Sequence, residues 1–169
     1  MADVMTIAEH FEKLQGLKVA FIGDGNNVSR SLAYACAKLD MKMIIASPPD
    51  YQLDAESIVD MNRISDGSIT QINDPLKAVA DADVIYTDTW VSMGQEEEKQ
   101  KRIDDFKNFQ IDSDMLKAAP SHAKIMHCLP AYRGLEISDE AIESDNSIIF
   151  DQSENRLHFQ RNLLKKLLS

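Results

Sequence analysis

Residues 18–39, KVAFIGDGNNVSRSLAYACAKL, decide the fold. They begin with a short run of strand-forming residues, 18–22, which ends in a glycine-rich turn, 23–27. From Val28 onward the apolar residues recur at spacings of three and four, which is the periodicity of an amphipathic helix. A strand, a glycine turn and a helix in this order predict the opening of a βαβ unit.

The same alternation continues along the rest of the chain. Further strands are predicted over residues 43–46, 68–71, 84–87 and 124–127, with a sixth over 147–150. Further helices are predicted over residues 55–63, 75–80, 113–116 and 153–168, and a first helix begins near residue 4 and ends near residues 15–16. No hairpin turn separates two strands, so we expect an α/β fold in which a three-layer, doubly wound, mostly parallel, Rossmann-like sheet carries helices on both faces. No repeat or shift in composition marks a boundary, and we expect a single domain over residues 1–169.

Composition and charge narrow the possible partners. The chain has 169 residues, of which 18 are Lys or Arg and 28 are Asp or Glu, giving a formal net charge of −10. Such a charge repels phosphate backbones and anionic lipid surfaces, so we expect neither a nucleic acid nor a membrane as partner. The chain has only two cysteines, no leader pattern at its N-terminus and no apolar run of about 20 residues. These features predict a cytoplasmic protein.

Four polar segments follow predicted strands and mark the candidate site. They are residues 23–27, 88–94, 127–131 and 151–156. Ligands of open parallel sheets bind at the carboxyl ends of the strands, near the point where the strand order reverses. We therefore expect these segments to supply the site.

Each candidate residue in these segments could have either a functional role or a purely structural one. Asn26 and Asn27 could bind a small carboxylate at a helix start, or they could simply form the turn. Asp88 could accept an ammonium group or cap the next segment. Cys128 could be a reactive thiol or a buried inert one, and Arg156 could clamp an oxyanion or form an ordinary surface ion pair.

A dinucleotide site is disfavoured by the glycine pattern of the first turn. Gly23 and Gly25 supply the first two glycines of G-x-G-x-x-G, but Val28 occupies the third position. A side chain there would push the helix away from a pyrophosphate.

The four segments in this order resemble the ornithine carbamoyltransferase family. The resemblance rests on GDGNN (23–27), DTWVSMG (88–94), HCLPA (127–131) and FDQSENRLH (150–158), and it extends over essentially the whole chain. Family members transfer the carbamoyl group of carbamoyl phosphate to the side-chain amine of L-ornithine, giving L-citrulline and phosphate without a metal or organic cofactor. The resemblance implies the same reaction here, with this chain supplying the ornithine-binding half.

The resemblance also implies roles for individual residues. Asn27 and the backbone of Met93, with Ser92 beside it, would hold the ornithine carboxylate. Asp88 would hold the α-ammonium group, and Cys128 near Asp88 would orient the δ-amine and help it lose its proton, because only a neutral amine has a free lone pair. Residues 92–94 would close over the amino acid as a lid.

A second group would contact carbamoyl phosphate. His127, Cys128, Leu129 and Arg156 would stabilise the charge that develops on the carbonyl oxygen and on the leaving phosphate. The implied catalytic residues are thus Cys128, Asp88 and Arg156.

One part of the family pattern has no counterpart in this sequence. Family members carry an N-terminal domain that binds carbamoyl phosphate through a Ser-x-Arg-Thr-Arg motif, and they form trimers. The motif does not occur here, so we expect the isolated chain to have little or no activity and to need that missing domain as a partner. We also expect self-association through uncovered apolar residues of the first and last helices: Val4, Ile7, Phe11, Leu163, Leu164, Leu167 and Leu168.

Two other functions remain open on sequence grounds. One is a carbamoyltransferase for another amine, such as putrescine, although a diamine has no carboxylate for Asn27 and residues 92–94 to hold. The other is a non-catalytic amino-acid-binding module that keeps the fold and the ligand site.

Overall fold

The computed structural model describes residues 1–65, 68–92 and 94–169, and these residues form five strands and eight α-helices. The strands are β1 (Lys18–Ile22), β2 (Lys42–Ala46), β3 (Ile69–Ile72), β4 (Val84–Thr87) and β5 (Lys124–His127). The helices are α1 (Ala2–His10), α2 (Asn27–Lys38), α3 (Ala55–Ser65), α4 (Pro75–Val79), α5 (Lys99–Phe106), α6 (Ser113–Ala118), α7 (Asp139–Ile142) and α8 (Ile149–Leu168).

The strands form one parallel sheet in the order β3-β2-β1-β4-β5. The chain moves outward from β1 to β3 and then returns to place β4 on the other side of β1, so the order reverses between β1 and β4. Ile22 pairs with Thr87, and Thr87 pairs with His127. The last residues of three strands therefore lie side by side at the position where ligands bind in such sheets.

Helices cover both faces of the sheet, which confirms the predicted doubly wound α/β fold. Ile85 of β4 packs into one buried cluster, and its neighbours Val84 and Tyr86 pack into the other, because successive side chains of a strand point to opposite faces. On the Tyr86 side the cluster includes Ile7 of α1, Leu32 of α2 and Met61 of α3. On the Ile85 side it includes Val79 of α4, Phe106 of α5, Met115 of α6 and Ile142 of α7.

Helices α1 and α8 pack together through buried polar side chains. The amide nitrogen Nδ2 of Asn155 donates to Thr6 Oγ1 at 3.1 Å and to Glu9 Oε2 at 2.5 Å. One turn earlier, Gln152 Nε2 donates to Asp3 Oδ1 at 2.7 Å. Buried amides are costly unless they are hydrogen-bonded, so these contacts fix how the two ends of the chain meet.

The predicted sixth strand is wrong. In residues 147–150, only Ser147 forms a bridge, to Ile125, and α8 already begins at Ile149. Ile148 and Ile149 are buried, one in each core cluster, so this short apolar run docks the start of the helix instead of extending the sheet. The last helix consequently begins four residues before the expected Ser153.

Two other helix boundaries also differ from those predicted. Helix α1 ends at His10, well before the expected end near residues 15–16, because Phe11 is already extended. Helix α6 extends to Ala118, two residues beyond the predicted end, and its cap is Asp112, whose side chain accepts the backbone N–H groups of Asp114 and Met115.

The expected uncovered apolar surface is confirmed for α8 and wrong for α1. Val4 and Ile7 are buried, and Phe11 is half-buried against the same core. The exposed large apolar residues at the end of α8 are Leu163, Leu164, Leu167 and Leu168. Although α8 has 20 residues, neither it nor any other helix in the described ranges is apolar enough to span a membrane.

The fold requires a residue without a side chain at Gly25, because other backbone lies close to it. Its N–H donates to the Tyr51 carbonyl oxygen at 2.7 Å, and a Cβ atom here would lie 2.5 Å from the Leu53 backbone nitrogen. Such a contact is too short to persist, so any side chain would push the first turn away from residues 51–53.

We expect Gly25→Ala to lower the free energy of unfolding by about 1–3 kcal/mol, because backbone must shift to admit the methyl group. Urea unfolding measures this change. Asn27→Ala, on the exposed neighbour two residues further, serves as control and should change stability by less than about 0.5 kcal/mol. Equal stability of the two variants would show that the close packing around Gly25 is not required.

Candidate active site

Asp88 is the centre of the candidate site. It follows β4, is buried, and accepts hydrogen bonds from three directions. Asn26 Nδ2 lies 3.0 Å from Oδ2, whereas the Thr89 backbone nitrogen and Cys128 Sγ lie 2.7 Å and 2.9 Å from Oδ1. Segments that follow β1, β4 and β5 thus converge on one carboxyl group.

The capping geometry of α2 explains how Asn26 reaches Asp88. The Asn26 side-chain oxygen accepts the backbone N–H groups of Val28 and Ser29 at 2.8 Å and 3.2 Å, as an N-cap residue does. Its amide nitrogen is then left to donate to Asp88. The neighbouring Asn27 is the first residue of α2 and is exposed, so it lies at the helix N-terminus next to this contact.

Cys128 is a neutral donor in this arrangement. Burial raises the pKa of its thiol, and the negative charge of Asp88 and the hydrogen bond to it raise that pKa further. The thiol therefore stays protonated at neutral pH and donates to Asp88. A protonated thiol is a weak nucleophile, so the chemistry favoured here is orientation and hydrogen bonding rather than covalent catalysis.

The side chain of His127 points to the face of the sheet opposite that of its neighbour Cys128. It supports the loop that follows β5. It is buried, its Nε2 lies 3.2 Å from Glu136 Oε1, and its Nδ1 accepts the Leu129 N–H at 2.9 Å. Because Nδ1 is an acceptor, we assign the ring proton to Nε2. Glu136 Oε1 also accepts the N–H of Tyr132 at 2.5 Å, so one buried carboxyl group ties both ends of this loop.

Leu129 lies in the loop that His127 supports. Its backbone has φ +53°, its peptide bond to Pro130 is cis, and its side chain is half-buried. The backbone N–H of His127 donates to Gln152 Oε1 at 2.9 Å, which joins the end of β5 to the first turns of α8. The backbone of residues 127–129 is therefore held from two sides.

The loop after β4 leads into a helix. Ser92 is half-buried, and its backbone N–H donates to Gln95 Oε1 at 3.0 Å. Met93 lies outside the described residues. Residues 96–98 form a single 3-10 turn, and the charged continuation forms α5.

Arg102 is buried although it belongs to a run of mostly charged residues, 96–102. Its side chain is only 8% exposed, and its Nη1 donates to Asp24 Oδ2 at 2.8 Å and to the Trp90 carbonyl oxygen at 3.0 Å. Burial raises the pKa of Asp24, and the hydrogen bond and charge of Arg102 oppose this rise. Sequence reasoning missed Arg102 and Asp24; the one clue was the helical spacing of Arg102 to Phe106, which places both on the buried face of α5.

Arg156 lies apart from these contacts. It is the eighth residue of α8, not a residue at the helix start as expected, and it lies one turn beyond Gln152 on the same side of the helix. It is exposed, and within the described ranges its side chain forms no hydrogen bond or ion pair. The structure thus brings Asp88 and Cys128 together with Asn26, whereas Asn27, Ser92 and Arg156 lie on neighbouring segments.

A metal site is not evident in this part of the chain. In the residues that the structure describes, no three His, Cys, Asp or Glu side chains are grouped closely enough to hold a metal ion. The functional groups that the described side chains bring to the site are carboxyl, amide, thiol and guanidinium groups.

Comparison with known proteins places this geometry in a family. The family model "Aspartate/ornithine carbamoyltransferase, Asp/Orn binding domain" matches residues 15–167. The chain belongs to the aspartate/ornithine carbamoyltransferase family. This confirms the resemblance found in the sequence.

Two curated members of the aspartate/ornithine carbamoyltransferase family are similar along the whole chain. The ornithine carbamoyltransferase of Methanoculleus marisnigri is 49% identical over 169 residues, which are 100% of this chain and 54% of that protein. The Pyrococcus horikoshii enzyme is 47% identical and is covered to the same extent, 54%. This chain therefore spans about half the length of the curated relatives it matches.

Solved structures of family members share the fold. The structure titled ornithine carbamoyltransferase from Pyrococcus furiosus superimposes with a TM-score of 0.91 at 46% identity, covering 96% of this chain and 53% of that one. The Thermus thermophilus structure gives a TM-score of 0.87 at 36% identity, with 99% and 54% covered. These relatives are named for carbamoyl transfer to ornithine, which does not favour a putrescine enzyme or a non-catalytic module.

The contact between Asp88 and Cys128 leads to a test by thiol alkylation. In a Cys36→Ala background Cys128 is the only thiol, since the chain has two cysteines and burial raises the pKa of Cys36 to about 12. Asp88→Asn removes the negative charge beside the thiol and should lower its pKa. We expect alkylation by iodoacetamide at mildly alkaline pH to become about tenfold faster, which corresponds to one pKa unit.

Asp60→Asn removes an exposed carboxylate from α3 and is the matched control for the alkylation experiment. Its alkylation rate should equal that of the Cys36→Ala parent. An unchanged rate in the Asp88→Asn variant would contradict the influence of Asp88 on the thiol.

Proposed function

We propose that this chain is the ornithine-binding half of an ornithine carbamoyltransferase. The reaction transfers the carbamoyl group of carbamoyl phosphate to the δ-amine of L-ornithine and yields L-citrulline and phosphate. The observation that carries the proposal is the set of partners of Asp88, which are neutral donors grouped at the reversal point of the sheet.

Asp24 and Asp88, the two buried carboxyl groups at this edge of the sheet, differ in their charged partners. Asp24 is paired with the guanidinium of Arg102, whereas Asp88 has no cationic partner within the described ranges. A buried carboxylate without a counter-ion is expensive. An ammonium group of a ligand would supply the missing positive charge, which supports an amino acid as the ligand of Asp88.

The start of α2 is suited to the carboxylate of the same ligand. The helix N-terminus carries a partial positive charge, and the exposed Asn27 stands there next to the Asn26–Asp88 contact. Ser92 and the backbone of Met93 would complete this end of the site. A ligand with both a carboxylate and an α-ammonium group is thereby preferred over a diamine.

Transfer requires a neutral δ-amine close to the carbamoyl carbon. The nitrogen lone pair forms the new C–N bond, the C–O bond to phosphate breaks, and phosphate leaves with that electron pair and takes one proton from the nitrogen. Cys128, which donates to Asp88, keeps sulfur lone pairs that accept a hydrogen bond from the amine and orient it. Asp88 lies beside this thiol and favours loss of the amine proton to the leaving group.

Carbamoyl phosphate would lie against the loop after β5 and Arg156. The backbone of residues 127–129 is held by His127, Glu136 and Gln152, which suits a loop that must keep a fixed position against the carbamoyl group during transfer. Arg156 is exposed and has no partner in the described structure, so its guanidinium is available to the phosphate.

The remainder of the phosphate site would come from the other half of the full-length protein. We propose that residues 1–169 form one domain and that the missing carbamoyl-phosphate domain and further copies of the chain complete the enzyme. The exposed leucines at the end of α8 are candidates for burial in that assembly.

Ligand binding tests the proposal. Calorimetric titration should show that the chain binds L-ornithine more tightly than putrescine, because the diamine lacks the carboxylate. Asp88→Asn should weaken ornithine binding about 30-fold or more, since truncating one member of a buried charge pair costs at least about 2 kcal/mol.

The control for the titration is again Asp60→Asn, which should bind ornithine like the unchanged chain. Equal affinities for ornithine and putrescine would contradict the proposed site, as would an Asp88→Asn variant with undiminished ornithine binding.

A further inference from the structure

Arg102 joins the two loops that the proposed function assigns to the amino-acid carboxylate. One of its side-chain nitrogens, Nη1, donates both to Asp24, in the turn after β1, and to the Trp90 carbonyl oxygen, in the loop after β4. Asn27 lies three residues beyond Asp24, and Ser92 lies two residues beyond Trp90. One guanidinium thus sets the spacing between the two walls of the proposed carboxylate site.

Packing around the guanidinium holds α5 against the same loop. The Arg102 guanidinium carbon lies 4.9 Å from the centre of the Tyr51 ring, which covers one side of it. One helical turn later, the Phe106 ring stacks with the Trp90 ring at a centroid distance of 5.8 Å. Helix α5 therefore contacts both the carbonyl oxygen and the ring of Trp90.

We propose that Arg102 is a positioning residue for amino-acid binding, acting by holding Asp24 and the Trp90 carbonyl together so that Asn27 and Ser92 face one carboxylate. The proposal rests on the proposed function above. Arg102 acts through these loops and not on the ligand, because its Nε and Nη1 donate to Glu98, Asp24 and Trp90 and its side chain is only 8% exposed.

An arginine is required for this task. The Nε bond to Glu98 and the Tyr51 ring fix the guanidinium plane and so hold Nη1 between its two acceptors, whereas a lysine ammonium on a flexible stem lacks both supports and does not keep both contacts. Arg102→Lys thus keeps the charge that balances Asp24 and removes the second contact. It isolates positioning from charge.

The chain provides its own probe of this contact. Trp90 is the only tryptophan, so the intrinsic fluorescence of the protein reports on the residue that Arg102 holds. In Arg102→Lys we expect red-shifted emission and stronger quenching by acrylamide, because the loop separates from α5 and admits water. Lys99→Gln, which removes an exposed positive charge from the same helix, should leave both properties unchanged.

Ligand selectivity distinguishes positioning from a merely structural role. We expect Arg102→Lys to weaken L-ornithine binding about tenfold, the scale of coupling between neighbouring groups, with little change for putrescine, which has no carboxylate to place. Asp24→Asn should lower the same ornithine-to-putrescine preference, and it serves as the second variant if the lysine variant does not fold. Lys99→Gln should keep the preference.

The two proposals fail in different ways. If the unchanged chain binds no ornithine, the proposed function is contradicted and the role of Arg102 with it. If the unchanged chain binds ornithine but Arg102→Lys and Asp24→Asn keep its preference over putrescine, only the role of Arg102 is overturned. A loss of affinity for both ligands to the same extent would also overturn it, since that result indicates a general structural defect.

Discussion

The pairing of β1 with β4 is the constraint on which the rest of the site depends. Ile22 and Thr87 are register partners, and the Thr87 hydroxyl donates to the Ile22 carbonyl at 2.6 Å, which locks the two strand ends together. Because the strand order reverses here, the segments that follow diverge to opposite faces, and sheets of this kind bind their ligands in the cleft between such segments. Asn26 and Asp88 meet across that cleft, and every other feature of the candidate site is arranged around their contact.

The two buried acidic residues at this site, Asp24 and Asp88, have different electrostatic partners. Asp24 is neutralised within the protein by Arg102, and this pair connects the loops structurally. Asp88 is surrounded by neutral donors, and its charge raises the pKa of the Cys128 thiol so that the thiol remains a donor. Asp24 thus connects the two loops, whereas Asp88 has no cationic partner in the described residues and, in the proposed function, binds the ammonium group of the ligand.

Much of this could be predicted from the sequence, and the failures have physical causes. The strand–turn–helix pattern of residues 18–39 is local, and the rule for parallel sheets brings Asp88 and Cys128 together without knowledge of any contact. By contrast, the Arg102–Asp24 pair spans 78 residues, and a charged run gives no indication that one of its members is buried. Ile148 and Ile149 were mistaken for a strand because a short apolar run has no clear period. The burial of Val4 and Ile7 likewise depends on tertiary packing around α1, which local periodicity does not reveal.

The central claim is that this chain is one half of a carbamoyltransferase whose amino-acid site is already built. The most direct measurement is citrulline formation from L-ornithine and carbamoyl phosphate by the purified chain, alone and mixed with the separately expressed other half of a relative such as the Methanoculleus marisnigri protein. The account predicts that citrulline forms only in the mixture. Citrulline formation by the chain alone, or none in a mixture in which both halves are folded and associated, would contradict it.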